Sequence, residues 1–239
     1  MAEYLVFQLY GPMAAWGDIA VGEYRPSFAH PSKSAIIGLL AAALGIRRDE
    51  EDRQRALADA CTFAVRVDTM GTLLRDYHTA QVPPEKKGVT YHTRYSELSW
   101  ALNTILSSRD YRCDAAYTVA VGLRNGSDLT LQLLADKLRK PEFILYLGRK
   151  SCPLALPLDP KIIQAMDFKE ALNGTHLSVH LIPLLTETSH IGVYWDDGIT
   201  SGYEEDYIHV ITRRDAPLSR KRWQFTDRRE HYASVGREG

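Results

Sequence analysis

Residues 31–46 read PSKSAIIGLLAAALGI, and this stretch predicts the first helix of the fold. Ser32 is a residue type that caps helices, and the alanine- and leucine-rich run behind it has the length and composition of a helix. Residues 4–10, which precede it, show the side-chain alternation of a strand and are rich in strand-forming residues. The sequence therefore predicts a strand followed by a helix.

Later segments extend this start to a complete α+β unit. They predict a second helical piece at residues 51–60, strands at 61–67 and 115–123, a helix at 128–139 after an Asn-Gly-Ser turn, and a last strand at 142–147. The order β-α-β-β-α-β is the ferredoxin-like (RRM-like) plan, which we expect to form a palm over residues 1–158. Strand-like pieces at 176–185 and 207–212 predict a small β-rich C-terminal part over residues 159–239.

A long insertion, at about residues 80–112, separates the second and third strands of this plan. It holds Tyr91, Arg94, Tyr95 and Trp100 among lysines, an aromatic and basic mixture that can stack on bases and follow phosphates. Insertions of this length inside a compact domain are usually functional, so we predict a projecting hairpin. The alternative is a satellite hairpin packed on the palm, anchored by Trp100 and by a short buried helix containing Leu98, Leu102 and Leu106.

Composition limits the class of protein. The 239 residues have a net charge of −1 and are 45% hydrophobic and 25% charged, as in an ordinary globular protein. The longest apolar run, 35–46, is too short to span a bilayer and no signal-type segment precedes it, so we expect a cytoplasmic protein without a membrane partner. Three distant cysteines, Cys61, Cys113 and Cys152, predict reduced and mostly buried thiols.

Charge is segregated along the chain. Basic residues cluster at 47–48, 86–87, 149–150 and 213–229, and acidic residues cluster at 49–52, 196–197 and 204–206. Such segregation permits a basic groove on a protein that is neutral in total. Any single cluster is equally well explained as a solvated face.

Two neighbouring features form a candidate phosphate site. In the stretch 11–17, GPMAAWG, Gly11 and Gly17 let backbone approach a ligand, and Trp16 offers a ring face for a base. The helix entrance adds Ser32, Ser34 and Lys33, with free amides and a dipole that favour an anion. The alternative is purely structural: Trp16 packs in the core, Ser32 is only a cap, and the glycines only form a turn.

Further motifs point to a known family. Residues 74–79 (LRDYHT), 109–115 (RDYRCDA) and 146–154 (YLGRKSCPL), together with the two stretches above, resemble the CasD family. Members of that family are subunits of the type I-E CRISPR surveillance complex, Cascade, and hold the 5′ handle of the guide RNA. The resemblance spans residues 4–158 and returns weakly at 214–217 and 223–225.

The resemblance implies a noncatalytic RNA-binding subunit for antiviral defence, without a cofactor or metal. It implies a palm with a hairpin thumb that reaches a CasC-like backbone subunit, with a CasA-like large subunit docked nearby. The RNA contacts that it implies, with the two residues of the insertion added, are Gly11, Pro12, Met13, Trp16, Gly17, Arg25, Lys33, Ser34, Arg75, His78, Tyr91, Arg94, Tyr146, Arg149 and Lys150.

Two other classes of function stay open. Relatives of CasD in type I-C systems cut precursor RNA without metal, and Tyr77, His78, His92 and Lys33 are the matching side chains here, since histidine transfers protons near neutral pH. A structural interaction module that does not bind RNA is the other. His176 and His180 have the spacing of metal ligands on a helix, but the residues between them alternate as in a strand.

Overall fold

The computed structural model describes residues 1–184, 190–204 and 208–236, which fold into helices packed on mainly antiparallel sheets. The elements in chain order are β1 (Ala2–Tyr10), β2 (Met13–Ala14), β3 (Tyr24–Arg25), α1 (Lys33–Ala43), α2 (Glu51–Ala60), β4 (Cys61–Thr69), β5 (Thr72–Val82), α3 (Arg94–Leu98), β6 (Asn103–Cys113), β7 (Ala116–Leu123), α4 (Leu131–Arg139), β8 (Lys161–Ala165), α5 (Phe168–Asn173), β9 (His190–Asp196), β10 (His209–Ser219) and β11 (Gln224–Gly236). The predicted α+β class is confirmed.

The larger sheet has seven strands in the order β10-β11-β9-β4-β7-β1-β8, and every neighbouring pair is antiparallel. Alternate residues of its central strands face opposite sides. Leu5 and Phe7 of β1 join the core formed with α1, α2 and α4, whereas Tyr4 and Val6 join a second core with α5 and β9. The sheet is therefore covered on both faces.

The strand predicted at 142–147 is wrong. The backbone amides of Glu142 and Phe143 donate to carbonyls at the end of α1, 3.1 Å away in each case, so they are not available to a sheet. Leu147 then enters a tight turn. The neighbouring Tyr146 forms only an isolated β-bridge with Pro153. The position beside β1 is taken by β8, which follows later in the chain.

The predicted strand at 176–185 is also wrong over its described part. Residues 176–181 form an irregular loop in which the amide of Leu181 donates to the carbonyl of Ser178, 2.8 Å away, and a short 3₁₀ turn, Ile182–Leu184, follows. Residue Leu185 of that prediction lies outside the described residues. The strand predicted at 207–212 is found as β10, although Tyr207 lies outside the described part, as do Glu205 and Asp206 of the acidic cluster 204–206.

The insertion is a two-stranded hairpin. β5 and β6 pair from Thr72 with Cys113 to Val82 with Asn103, and α3 lies in the connection between them. The alternative with a short buried helix is wrong, because Leu98 is 49% exposed and Leu106 is 55% exposed and lies in β6. β6 also pairs with β2 and β3, which attaches the base of the hairpin to the first loop of the chain.

Strands β9, β10 and β11 continue the larger sheet, because β9 pairs with β4. The division of the chain after residue 158 stays a prediction.

The three cysteines are free thiols, and Cys61 and Cys152 are buried, as predicted. Among the described residues, none of the helices has the length and apolar character needed to cross a bilayer.

Candidate nucleic-acid interface

The stretch 11–17 packs against the turn at residues 147–153. Gly11 and Gly148 allow this close approach, since a Cβ at Gly11 would lie 2.5 Å from the carbonyl oxygen of Pro153, and one at Gly148 would lie 1.9 Å from that of Ala15. Gly148 also has φ +82°, a backbone conformation that favours glycine. These two glycines serve contacts within the protein, whereas Gly17 faces open space.

Trp16 lies in the core, where it is 1% exposed and makes an edge contact with Tyr117 at a centroid distance of 5.5 Å. The prediction that its ring offers a stacking face to a base is therefore wrong. Its backbone carbonyl accepts a hydrogen bond from Phe28, and its amide donates to the hydroxyl of Ser27. Trp16 thus fixes the path of the loop that leads to Arg25.

The entrance of α1 already holds a carboxylate. The amide of Lys33 donates to Oδ2 of Asp215 at 2.8 Å, and its Nζ donates to Asp196 at 3.0 Å. Ser32 caps the helix by accepting from the amide of Ala35. The predicted phosphate site at Lys33 is therefore wrong, because the protein fills it with its own side chains.

This carboxylate belongs to a buried network of charges. Arg228 donates to Asp215 and Glu230, each at 2.5 Å, and Arg213 donates to Glu230 at 3.2 Å. Nε2 of His30 lies 2.9 Å from Glu230. Burial alone would raise the pKa of Glu230, but the His30 contact and the charges of Arg213 and Arg228 lower it to about 2. Burial lowers the pKa of His30, so this ring is neutral near pH 7.

A second cluster surrounds Asp110, a buried residue of β6. Arg75 donates to its carboxylate at 2.8 Å and to the hydroxyl of Tyr24 at 2.9 Å, and Tyr24 also bonds Asp110. The hydrogen bond from Arg75 is the largest of the effects that lower the pKa of Asp110. Arg75 is therefore held in place, with its charge partly neutralised.

Arg149 and Arg25 are held without a carboxylate. The guanidinium of Arg149 donates to the carbonyls of Asp110 and Arg25, at 3.1 and 3.2 Å, and lies 4.7 Å from the ring centroid of Tyr111. Arg25 donates to the carbonyl of Gly22 at 2.6 Å. No acidic side chain in the described part forms an ion pair with either arginine. Fixed cations of this kind are suited to phosphates.

The four candidate catalytic side chains are not brought together. Tyr77 and His78 are neighbours on β5 and point to opposite faces of the hairpin, because side chains alternate along a strand. Nε2 of His78 lies next to the carboxylate of Asp76, and Lys33 donates to Asp196 in the larger sheet. His92 is exposed in the connection of the hairpin.

The other predicted residues of the hairpin lie near its end. Arg94 forms an ion pair with Glu97 at 2.7 Å and donates to the carbonyl of Gln81. Tyr91 is half-buried beside it, and Trp100 is stacked with Lys86, whose Nζ lies 3.5 Å from the ring centroid. This end of the hairpin is separate from the arginines around Asp110.

A groove of about 1060 Å³ opens between α1, the loop before β3, the turn that carries Arg149 and the hairpin of β10 and β11. Of the predicted residues, those that line it are Gly17, Arg25, Ser34, Tyr146 and Arg149. Those that do not are Gly11, Pro12, Met13, Trp16, Lys33, Arg75, His78, Tyr91, Arg94 and Lys150. The lining contains six arginines, which are Arg25, Arg47, Arg48, Arg149, Arg214 and Arg220, against the two aspartates Asp18 and Asp215.

Four of these arginines were not predicted as site residues. Arg47 and Arg48 follow α1, and Arg214 and Arg220 come from the C-terminal hairpin together with Trp223. The sequence carried a signal for them, since both stretches are basic clusters. Only the fold shows that the two clusters, distant in sequence, face one groove.

Comparisons with known proteins show the family of the chain. A family model described as CRISPR-associated protein (Cas_Cas5) matches residues 4–230. The CRISPR system Cascade subunit CasD of Escherichia coli (strain K12) is 34% identical, and the match covers 99% of this chain and 97% of that protein.

Solved structures are similar over almost the whole chain. A chain of a CRISPR RNA-guided surveillance complex superposes with a TM-score of 0.65 at 25% identity, over 98% of this chain and 89% of that one. A second, titled as the crystal structure of a Cas protein, has a TM-score of 0.59 at 23% identity, over 98% and 95%, and shows likeness of fold.

Proposed function

Since the chain belongs to the Cas5 family of CRISPR-associated proteins, we propose that it is the subunit of a type I-E CRISPR surveillance complex that holds the 5′ handle of the guide RNA. The arginine-lined groove is the observation that carries this proposal. Six guanidinium groups line the groove, against two carboxylates. One of these carboxylates, that of Asp215, already accepts hydrogen bonds from Lys33 and Arg228. A groove with this excess of positive charge attracts the phosphates of a single strand.

The order of the strands supports the finer description of the fold. Within the larger sheet, β8-β1-β7-β4 follow the spatial order of a ferredoxin-like palm, with β8 as its fourth strand. The hairpin of β5 and β6 is the proposed thumb. Leu73 and Tyr77, which share one face of β5, are 50% and 71% exposed, as expected of a surface that a partner covers. We propose a CasC-like backbone subunit as that partner, with a CasA-like large subunit nearby.

The proposed role is noncatalytic. Metal-independent cleavage needs a base and a charge-stabilising group at one reacting phosphate, and the candidate side chains Tyr77, His78 and Lys33 are apart in the fold. We propose the cytoplasm as the location, which the three free thiols support.

Salt dependence of RNA binding tests the proposal. We expect the affinity of the purified protein for single-stranded RNA to fall as salt rises, with a slope of about 0.7 in log-log units for each phosphate contact. Replacing one groove arginine, Arg149→Ala, should lower both the affinity and this slope. The matched control is Arg139→Ala, since Arg139 lies outside the groove and pairs with Asp136. An affinity that does not respond to salt or to Arg149→Ala would contradict the proposal.

A cleavage assay separates the noncatalytic role from the nuclease alternative. We expect a repeat-derived hairpin RNA to stay intact when incubated with the protein and a chelator, because the structure separates the required groups. Gel analysis should show the same for His78→Ala. Cleavage at one defined site that is lost in His78→Ala would instead assign the protein to the catalytic branch.

A further inference from the structure

The tight turn between β10 and β11 carries an exposed tryptophan in an unfavourable backbone conformation. Trp223 has φ +57° and is 56% exposed. Large side chains rarely adopt this left-handed conformation, and residues that do are concentrated at functional sites. The ring makes an edge contact with Phe225 at a centroid distance of 5.6 Å, and more than half of its surface stays open to a ligand.

The surroundings of Trp223 are basic. The guanidinium carbon of Arg48 lies 4.7 Å from its ring centroid and that of Arg220 lies 5.7 Å away, and Lys221 and Arg222 are exposed on the same turn. Within the described part of the chain, no carboxylate pairs with Arg48 or Arg220. An aromatic ring among cations without acidic partners is the combination that binds single-stranded nucleic acid.

Arg220 is built into the wall of the groove. It bonds the carbonyl of Ser34 in the first turn of α1 and packs on Gly38, where a Cβ would lie 2.4 Å from its Nη2. Burial, and then the charge of Arg48, lower the pKa of Arg220 to about 10. A bound phosphate would relieve this repulsion between two neighbouring cations.

We propose that Arg48, Arg220 and Trp223 form a subsite for one nucleotide of the RNA held in the groove. The indole stacks on the base, and the two guanidinium groups bind the adjacent phosphate. The exposed Arg48 is free to move from the ring to the phosphate when the base arrives. This inference rests on the proposed function, and it adds the C-terminal hairpin to the RNA-binding surface.

Removal of the ring tests the stacking contact. In Trp223→Asn the ring is lost while the left-handed backbone remains tolerable, so the protein should fold with an unchanged melting temperature. We expect the affinity for fluorescein-labelled single-stranded RNA to fall by about 5- to 100-fold, with most of the affinity kept in Trp223→Phe.

An RNA series with single abasic sites locates the contact. At one nucleotide position the loss of the base should weaken binding by the wild-type protein but not by Trp223→Asn, because the two changes remove the same contact. Additive effects at every position would overturn the inference.

Gly38→Ala tests the position of Arg220 without replacing any residue that would touch RNA. The new methyl group displaces the end of Arg220, so we expect RNA affinity to fall about 10-fold, as for the loss of a hydrogen bond to a charged group. Alanine is the better helix former, which offsets part of the lost hydrogen bond between Arg220 and Ser34, so we expect only a small decrease of the melting temperature. The control is again Arg139→Ala.

These experiments distinguish a failure of the subsite from a failure of the proposed function. If Arg149→Ala weakens RNA binding while Trp223→Asn and Gly38→Ala bind as the wild type does, the subsite is wrong and the groove stands. If none of the three changes matters, the proposed function fails as well. If Trp223→Asn leaves RNA affinity unchanged and weakens capture of the neighbouring subunits, the turn is a protein contact and the inference is overturned.

Discussion

Glu230 keeps its charge although its side chain is completely buried. Arg213 and Arg228 surround it, and these two cations with Lys33 balance the three carboxylates of the network. Buried ion pairs contribute to stability only while every member is satisfied, and removal of one partner is strongly destabilising. The network joins α1 to the C-terminal strands, so its ionisation state controls how firmly one wall of the groove is held.

Acid should therefore loosen the protein in two stages. His30 contacts Glu230, Arg213, Tyr194 and Phe28. Its pKa is lowered below 6.5, so the unfolded chain binds the proton first and stability falls as the pH drops below about 6.5. Glu230 contributes stability above about 4.5 that is lost as the pH falls towards about 2, roughly 3 kcal/mol in total.

Thermal melts from pH 7.5 to 4 measure the first stage. His30→Gln keeps a neutral polar side chain that does not titrate, so its melting temperature should change less than that of the wild type between pH 6.5 and 5.5. Equal slopes in the two proteins would show that His30 is not the group responsible.

At the scale of single residues, the sequence predicted which side-chain types form the groove better than it predicted which of those side chains are accessible. Arg25, Tyr146 and Arg149 were predicted and line the groove. Trp16 and Lys33 have the residue types of a site, but Trp16 is buried and the side chain of Lys33 is bonded to Asp196, a residue 163 positions away. No local pattern reports a partner at such a distance.

At the scale of elements, the hairpin of β5 and β6 is the part most separable from the rest. Its strands were predicted only as the margins of an insertion, yet they pair over their full length. Residues 83–102 between them include no buried side chain. The two cores of the larger sheet therefore do not depend on the end of the hairpin.

Deletion of that end should separate folding from assembly. Residues 83–102 can be replaced by Asn-Gly, which suits a two-residue turn between the paired residues Val82 and Asn103. We expect the melting temperature to stay within a few degrees and co-purification with guide RNA and the neighbouring subunit to be lost. Unchanged assembly of the shortened protein would contradict the assignment of the hairpin as a thumb.

The wrong prediction of a strand at 142–147 has an identifiable physical cause. The segment at 142–147 is apolar enough for a strand, but the amides of Glu142 and Phe143 find acceptors at the end of α1. β8, the strand that does flank β1, is only five residues long, and three of its side chains are half-buried or fully buried. Propensity describes what a segment can form, and tertiary hydrogen bonds decide between the possibilities.

At the scale of the whole molecule, the larger sheet crosses the predicted boundary after residue 158. β8 pairs with β1 at one side of the sheet, and β9 pairs with Ala64, Val65 and Arg66 of β4 on the other. Phe168, Leu172 and Trp195 supply much of the core on the second face of the sheet. The C-terminal strands therefore cover the edges of β1 and β4 as well as extending the sheet.

A fragment that ends at residue 158 should be insoluble or only partly folded. It would expose two bare strand edges, at β1 and β4, together with one apolar face of the sheet. Solubility after expression and the dispersion of amide signals in an NMR spectrum measure this. A fragment with a cooperative melt would show instead that the palm folds without the rest of the chain.

The contact between Arg220 and Ser34 joins residues that are 186 positions apart. During translation, the α1 wall leaves the ribosome long before the wall that carries Arg220 has been synthesised. A nascent or prematurely terminated chain therefore lacks one wall of the groove that we propose as the RNA-binding surface. A chain that stops before Arg220 should therefore bind guide RNA more weakly than the whole chain does.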